Sequence, residues 1–249
     1  MSSSPSALLL RAALVALAAC SGAQAAAPAK TPTMVHDNTL VTTLAQAAPD
    51  LDRKVLRLAT SAMACAMRNA QPGPATLSVI DYSLPSTRPR LWVFDLAQPR
   101  LIYQELVAHG RNTGENMASR FSNTEGSFMS SLGAFETQEA YVGANGYSLR
   151  LRGLEPGFND LARERAIVIH GAPYVSEDLI QRQGRLGRSL GCPAVRPAIA
   201  QALIDRIRGG SFVFAYYPDP EWLRRSALLQ AACGEDRLGH AASTPDPGA

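Results

Sequence analysis

The amino-acid sequence predicts a mostly β domain with an N-terminal helical layer and a C-terminal helix. From Ala75 onward, β-rich runs recur between short turns that contain proline or glycine. Before Ala75, apolar residues recur at the spacing of one helical face. The 249 residues are 46% hydrophobic, which is enough to bury the core of one good-sized domain.

The charge of the chain argues against a nucleic-acid-binding protein. The formal net charge is +3 at pH 7, and the lysines and arginines are scattered rather than gathered into a basic stripe. The sequence also lacks a Walker loop, a GxGxxG motif after a strand, an HExxH motif and a CxxC motif. We therefore expect no nucleic acid, no metal and no cofactor.

Residues 1–26 have the pattern of an export signal, in which Arg11 precedes an apolar Ala/Leu run and small residues follow. Two cleavage sites remain open. The LAAC sequence that ends at Cys20 resembles a lipobox and predicts a lipid-anchored N-terminus, whereas the Ala-Gln-Ala sequence that ends at Ala25 predicts ordinary cleavage. Both predict a protein outside the cytoplasm, with a membrane contact only through a lipid on Cys20.

The segment before the strands predicts a linker over residues 27–37 and helical structure over residues 38–71. Pro49 and Asp50 are typical of a helix start, and the Gln-Pro-Gly-Pro sequence that begins at Gln71 is a strong stop. The apolar face consists of Leu51, Val55, Leu58, Ala62 and Ala66.

Six β-rich runs follow, and short turns between the first three predict an antiparallel meander. The polar stretch Gly110–Ser131 predicts a loop that is functional or mobile. The predicted strands are Leu77–Tyr82, Leu91–Leu96, Leu101–Ala108, Tyr147–Arg152, Ala166–Ile169 and Ser211–Tyr217.

Three short helices are also predicted. Ser176 is typical of the N-cap of the first and Gly184 of its end. Pro197 suits the start of the second, which Gly209-Gly210 stops. Within residues 218–249, we expect a helix that begins at Asp219-Pro220 and extends to Ala232, followed by a disordered tail.

The cysteine count predicts a free thiol, because exported proteins meet oxidising surroundings. Besides Cys20, the chain contains Cys65, Cys192 and Cys233, and an odd number leaves at least one thiol unpaired. We expect Cys192 to be free. Cys65 and Cys233 are then either paired in a disulfide or buried as small apolar side chains.

A candidate nucleophile and a candidate base lie 22 positions apart. His170 ends an apolar run, and Cys192 lies in a Ser-Leu-Gly-Cys sequence. A thiol is nucleophilic as the thiolate, and imidazole is the usual group that removes its proton at neutral pH. Gly171 lets a backbone carbonyl approach and orient the histidine ring, and Gly191 permits a turn that aims the N–H groups of Cys192 and its neighbours at an oxyanion. We therefore predict that His170 and Cys192 are a catalytic pair.

His170-Gly171, a spacer and Ser189-Leu190-Gly191-Cys192 resemble the signature of the murein L,D-transpeptidases with a YkuD-type catalytic domain, which is His-Gly, a spacer and Ser/Thr-His-Gly-Cys. The resemblance implies a mixed β-sandwich or barrel-like catalytic domain over residues 75–217. Further segments that resemble the family are VIDYSLPS (79–86), LVAHG (106–110), SLGAF (131–135), GYSLRLRGLE (146–155), RAIVIHGAPYVSE (165–177) and GRLGRSLGCPAV (184–195).

The resemblance implies an acyl transfer between peptidoglycan stem peptides. Cys192 would attack the L-centre carbonyl of meso-diaminopimelate and expel D-Ala, while His170, held by the Gly171 carbonyl, would move the protons. The thioester would pass to the side-chain amine of another stem and form a 3-3 cross-link, and Ser189 and Gly191 would shape the pocket. Carbapenem-type inhibitors are expected to bind. The alternatives are an L,D-carboxypeptidase or endopeptidase that hydrolyses the thioester, and a non-catalytic peptidoglycan-binding protein.

Two motif positions differ from the family pattern. Leu190 stands where the family has histidine, and Ala194 stands where it has arginine two residues after the cysteine. The nearest cations to that second position are Arg188 and Arg196. These differences put the typical substrate preference in doubt while leaving the Cys/His pair intact.

Four further residues are candidates for substrate binding. Arg185 and Arg188 flank the cysteine turn and can grip stem-peptide carboxylates in bidentate fashion, with solvated surface arginines as the alternative. His109 ends a strand and can line the cleft or bond to loop backbone. Tyr174 can wall the pocket or simply pack as an aromatic core residue.

Overall fold

A computed structural model describes residues 35–70 and 72–230. The predicted export signal, the C-terminal tail beyond residue 230 and Cys233 lie outside these residues. Within them, no helix is both long and apolar enough to cross a membrane. The helices are α1 (Val35–Ala47), α2 (Arg53–Ala66), α3 (Glu177–Gln183), α4 (Pro197–Ile207) and α5 (Pro220–Arg225). The strands are β1 (Thr76–Asp81), β2 (Leu91–Asp95), β3 (Arg100–Glu105), β4 (Gly133–Gly143), β5 (Gly146–Gly153), β6 (Val168–Gly171), β7 (Ala194–Val195) and β8 (Phe212–Tyr216).

The strands form one sheet in the order β3-β2-β1-β8-β4-β5-β6-β7. The predicted antiparallel meander is β1-β2-β3, and two other pairs, β1 with β8 and β6 with β7, are parallel. Beyond β3, Ala108 bridges to Ala194 of β7 through backbone hydrogen bonds of 2.8 and 3.4 Å. This bridge brings the two ends of the sheet together. It confirms the predicted mostly β, barrel-like architecture.

The longest strand, β4, is missing from the β-rich runs found in the sequence. Only its N-terminal end is consistently buried, and polar residues interrupt the alternation in its outer half. The Asn145-Gly146 pair is a hairpin turn signal that could have located it, since Gly146 has a φ of +73°. Strand β4 pairs with β5 and β8 and so occupies the middle of the sheet.

The N-terminal helical layer consists of two helices separated at residues 48–52. Helix α1 begins at Val35, inside the predicted linker, and helix α2 begins after Asp52. The Asp52 carboxylate caps α2 by accepting hydrogen bonds from the N–H groups of Lys54 (2.6 Å) and Val55 (3.4 Å). The buried face of α2 packs against β1, β4 and β8, so this layer covers the centre of the sheet.

The later helices follow the predicted signals at their starts. The Ser176 hydroxyl caps α3 by accepting from the Leu179 N–H at 3.2 Å, and Gly184 ends it at a φ of +72°. Helix α5 ends at Arg225, so the prediction that it extends to Ala232 is wrong. Cys65 is disulfide-bonded, so the alternative in which it is a free, buried thiol is wrong. Cys233, the partner considered for it, lies outside the described residues.

Candidate active site

The end of β6 and the start of β7 bring His170 and Cys192 close along the backbone. The strands run parallel with His170 opposite Ala194, and the His170 N–H donates to the Pro193 carbonyl at 3.4 Å. Cys192 immediately precedes Pro193. Both side chains are buried, with 4% of His170 and 9% of Cys192 exposed. His170 lies within β6 rather than after it, since the predicted run Ala166–Ile169 enters the strand only at Val168.

The hydrogen bond of the His170 ring fixes its tautomer. Nδ1 lies 3.0 Å from the Gly171 carbonyl oxygen. A carbonyl oxygen can only accept, so Nδ1 carries the hydrogen and Nε2 carries a free lone pair. Burial lowers the pKa of His170 in spite of this hydrogen bond, which keeps the ring neutral at pH 7.

The Cys192 thiol is also neutral at rest. Burial raises its pKa, and the Val168 N–H, the Arg165 charge and the Cys192 N–H oppose that rise only in part. Its sulfur donates to the Ala166 carbonyl oxygen at 3.6 Å. Within the described residues no hydrogen bond joins the thiol to the imidazole. The resting pair is therefore a thiol and an imidazole rather than a thiolate and an imidazolium.

Ser189 closes the turn that carries the cysteine. Its hydroxyl donates to the Cys192 carbonyl oxygen at 2.6 Å and accepts from the Gly191 N–H at 3.0 Å. Gly191 has a φ of +130°, a conformation that side-chain-bearing residues avoid. The Gly191 N–H is thus already hydrogen-bonded to Ser189, and Pro193 has no backbone N–H. The Cys192 N–H lies beside its own sulfur, where it favours the ionised form, and it is the candidate oxyanion donor of this turn.

The predicted loop Gly110–Ser131 packs behind the turn. The Ser130 hydroxyl donates to the Gly191 carbonyl oxygen at 2.9 Å and accepts from the Gly110 N–H at 3.0 Å. A Cβ at Gly110 would lie 2.5 Å from the Phe128 carbonyl oxygen and 2.9 Å from the Gly191 Cα. This part of the loop therefore buttresses the cysteine turn through close backbone contact.

Arg165 is a residue of the site that the sequence analysis missed. Its guanidinium is half-buried and donates to Ser122, Ser127, Met129 and Ser131, all of them in the same loop. Its charge also counteracts the effect of burial on the Cys192 pKa. These partners lie 34 to 43 positions away in sequence, so no local pattern marks the residue.

Comparison with known proteins identifies the family. Residues 47–216, more than half of the chain, match the family model YkuD_2, described as the L,D-transpeptidase catalytic domain. The chain belongs to this family. No curated protein sequence matches it.

Solved structures of L,D-transpeptidases are similar to the chain at low identity. A protein from Mycobacterium smegmatis is 14% identical over 58% of this chain and 60% of its own, with a TM-score of 0.38. One from Stackebrandtia nassauensis is 12% identical over 75% of this chain and 93% of its own, with a TM-score of 0.36. The protein LdtMt1 in complex with imipenem is 14% identical over 58% of this chain and 60% of its own, with a TM-score of 0.36. The chain thus spans less than two thirds of the first and third of these proteins.

Arg185 and Arg188, which were predicted to bind substrate, both form ion pairs with the carboxylate of Glu115 in this L,D-transpeptidase. Glu115 lies 2.9 Å from Arg185 Nε and 2.7 Å from Arg188 Nη1. Arg188 Nη1 also donates to the carbonyl oxygens of Arg111 and Gly114. These contacts tie the segment before the cysteine to the loop, and a substrate carboxylate would have to compete with Glu115 for them.

His109 is buried, with only 1% of it exposed. Its Nδ1 lies 2.8 Å from Nη2 of the fully buried Arg90, and its Nε2 lies 3.3 Å from the Gly114 carbonyl oxygen. Both ring nitrogens are bonded within the protein, so the structure favours the alternative in which His109 bonds to the backbone of the loop. The residue joins Arg90, which immediately precedes β2, to the loop.

Tyr174 and Leu190 lie at the site. Tyr174 is half-buried, and burial together with the nearby Cys192 sulfur raises its pKa to about 12. Leu190, at the position of the family histidine, is 60% exposed and donates no side-chain hydrogen bond. The described residues contain no group of three or more His, Cys, Asp or Glu side chains arranged for a metal.

Proposed function

We propose that this protein is a cysteine L,D-transpeptidase that forms 3-3 cross-links between peptidoglycan stem peptides through a thioester on Cys192. The observation that carries the proposal is the His170 ring, whose Nδ1 is held by Gly171 with Nε2 left free, on a strand paired beside the Cys192 turn. Membership of the L,D-transpeptidase family supplies the substrate class.

The neutral resting pair requires general-base catalysis. The thiol must leave the Ala166 carbonyl and give its proton to Nε2 of His170 as the sulfur attacks the donor carbonyl. The negative charge then develops on the carbonyl oxygen, for which the Cys192 N–H is the available donor in the turn. Collapse of this intermediate breaks the C–N bond, and the imidazolium returns the proton to the departing D-Ala amine.

The second half of the reaction reverses these roles. The side-chain amine of an acceptor stem attacks the thioester, His170 removes the extra proton from that amine, and the Cys192 thiolate leaves and regains the proton. If water attacks instead, the same thioester is hydrolysed and the protein is an L,D-carboxypeptidase or endopeptidase. The buried thiol of Cys192 and the buried ring of His170, which Gly171 orients, favour either catalytic function over a non-catalytic peptidoglycan-binding protein.

Mass-resolved analysis of products separates these functions. The purified protein is incubated with disaccharide tetrapeptides, and the expected product is a cross-linked dimer whose formation releases D-Ala. Cys192→Ala should abolish it while the melting temperature stays close to that of the parent, and His170→Gln should slow it by about 100-fold or more. Tripeptide alone would indicate hydrolysis, and binding without product would refute catalysis.

Carbapenem acylation offers a test without peptidoglycan. Because a related L,D-transpeptidase has been solved in complex with imipenem, we expect incubation with imipenem to add the mass of the drug to Cys192. Cys192→Ser serves as the matched control and should stay unmodified. We further propose that the protein acts outside the cytoplasm, either released or anchored by a lipid on Cys20.

A further inference from the structure

Arg165 occupies an unusual electrostatic position, because it is a half-buried cation without an acidic partner. Within residues 35–70 and 72–230, no Asp or Glu forms an ion pair with it. Nearby Arg163 shows the contrast, since it is exposed and lies 3.1 Å from Glu139. Partial burial disfavours a charge, and here hydrogen bonds rather than an ion pair offset that cost.

The hydrogen bonds of Arg165 converge on the segment that supports the nucleophile. Nη1 donates to the Ser131 hydroxyl at 2.6 Å, and Nη2 donates to the Met129 carbonyl oxygen at 2.8 Å. These two residues flank Ser130, whose hydroxyl donates to the Gly191 carbonyl oxygen. The guanidinium is therefore linked to the turn that holds Cys192 through residues 129–131.

The backbone next to Arg165 reaches the nucleophile as well. Ala166 has a φ of +52°, which is strained for a residue with a side chain. In this conformation its carbonyl oxygen accepts the hydrogen bond from the Cys192 thiol. One short segment thus presents a cation and a carbonyl to the same part of the site, and local strain of this kind is a feature of functional positions.

We propose that Arg165 is a positioning residue for the Cys192 thiolate: its charge stabilises the ionised sulfur, and its forked hydrogen bonds hold the loop behind the cysteine turn. This inference rests on the proposed function, in which the Cys192 sulfur loses its proton as it attacks and later leaves as the thiolate. Among the described residues 35–70 and 72–230, Arg165 is the cation that opposes the effect of burial on the Cys192 pKa while His170 is still neutral.

Other titratable groups near the sulfur stay neutral across the range of interest. Tyr82 and Tyr174 both face Cys192, and burial raises the pKa of each to about 12. Burial lowers the pKa of His170, so its ring is already neutral at pH 7. A change in the ionisation of the thiol between about pH 7 and about pH 10 can therefore be traced to the thiol and to Arg165.

The test is the pH dependence of Cys192 alkylation by iodoacetamide, followed by intact mass on the whole protein. Arg165→Gln should move the alkylation midpoint upward by about one pH unit, which makes the reaction about tenfold slower at neutral pH. The matched control, Arg163→Gln, removes an exposed arginine from the same segment and should keep the parent profile. Cys192→Ser gives the background from any other thiol.

Arg165→Lys keeps the charge but cannot bridge the two residues that flank Ser130. It should keep the alkylation midpoint near that of the parent, while limited proteolysis cuts residues 122–131 faster. An unchanged midpoint in folded Arg165→Gln would overturn the proposal. If Arg165→Gln does not fold, a midpoint in Arg165→Lys shifted by a full unit would overturn it. The alkylation assay uses no peptidoglycan. An unchanged alkylation midpoint would therefore refute the role of Arg165 without refuting transpeptidation. Conversely, a purified protein that forms no cross-links could still show the predicted midpoint shift.

Discussion

Acid should destabilise the protein through His109, and the structure gives the size of the effect. Arg90 has no acceptor atoms, so its Nη2 donates to a deprotonated Nδ1, and Nε2–H of His109 donates to Gly114. Protonation would place a second cation against the buried guanidinium. Burial first, and the Arg90 charge second, lower the pKa of His109 from its ordinary 6.5 to about 4.

The sign of the change in stability with pH follows from the number of protons that the folded and unfolded chains bind. Below pH 6.5 the unfolded chain binds a proton at residue 109 that the folded chain refuses, so the free energy of unfolding falls as the pH falls. The fall ends near pH 4, where the folded ring is protonated too. At about 1.4 kcal/mol per unit of pKa, the drop from 6.5 to about 4 removes about 3 kcal/mol of stability. That is a large share of the stability of a typical domain.

His109→Gln isolates this contribution, because glutamine can accept from Arg90 and donate to Gly114 without titrating. Urea unfolding at about pH 7 and about pH 4.5 should show the parent losing about 2 to 3 kcal/mol more than the variant over that interval. His170 destabilises in the same direction in both proteins, so it cancels in the difference. Equal losses in the parent and the variant would refute the reasoning.

Two substitutions test the backbone of the site. Gly191→Ala places a Cβ 2.9 Å from the Met129 carbonyl oxygen at a φ of +130°, so we expect a loss of about 2 kcal/mol in thermal unfolding and no imipenem adduct by mass. The control is Gly126→Ala, because Gly126 also has a positive φ but a Cβ there would lie within 4 Å of no other atom. An equal loss of stability in this variant would show that the backbone conformation alone causes the effect. Ala166→Gly relieves the strain at a φ of +52° and should raise the free energy of unfolding by up to about 1 kcal/mol in urea, whereas a lower value would contradict the strain.

Much of the local structure follows from the sequence because its causes are local. A serine at the N-cap and a glycine that ends α3 act within a few residues, and the strand meander follows from apolar runs and short turns. The Cys192 and His170 candidates come from their residue types, adjacent glycines and the family motif. Strand β4 was not predicted, because buried and exposed residues do not alternate along its outer half, although the strand occupies the centre of the sheet.

The partners of the site residues were decided only by the tertiary structure. Arg188 meets Glu115 across 73 positions, so a substrate carboxylate would have to compete with a contact that the sequence does not reveal. Arg90 meets His109 across 19 positions, which decides between the two alternatives that the sequence left open for His109. Such pairs form when the sheet closes and brings distant loops together, and neither composition nor spacing encodes which loops will meet.

The sequence by itself thus determined the nucleophile and base candidates, the glycine turn and the mostly β class, because each depends on residue chemistry and short-range periodicity. Only the tertiary structure decided that the resting pair is neutral and that Arg165 stands behind it. Both depend on burial, and burial is a property of the whole packed sheet and its loops.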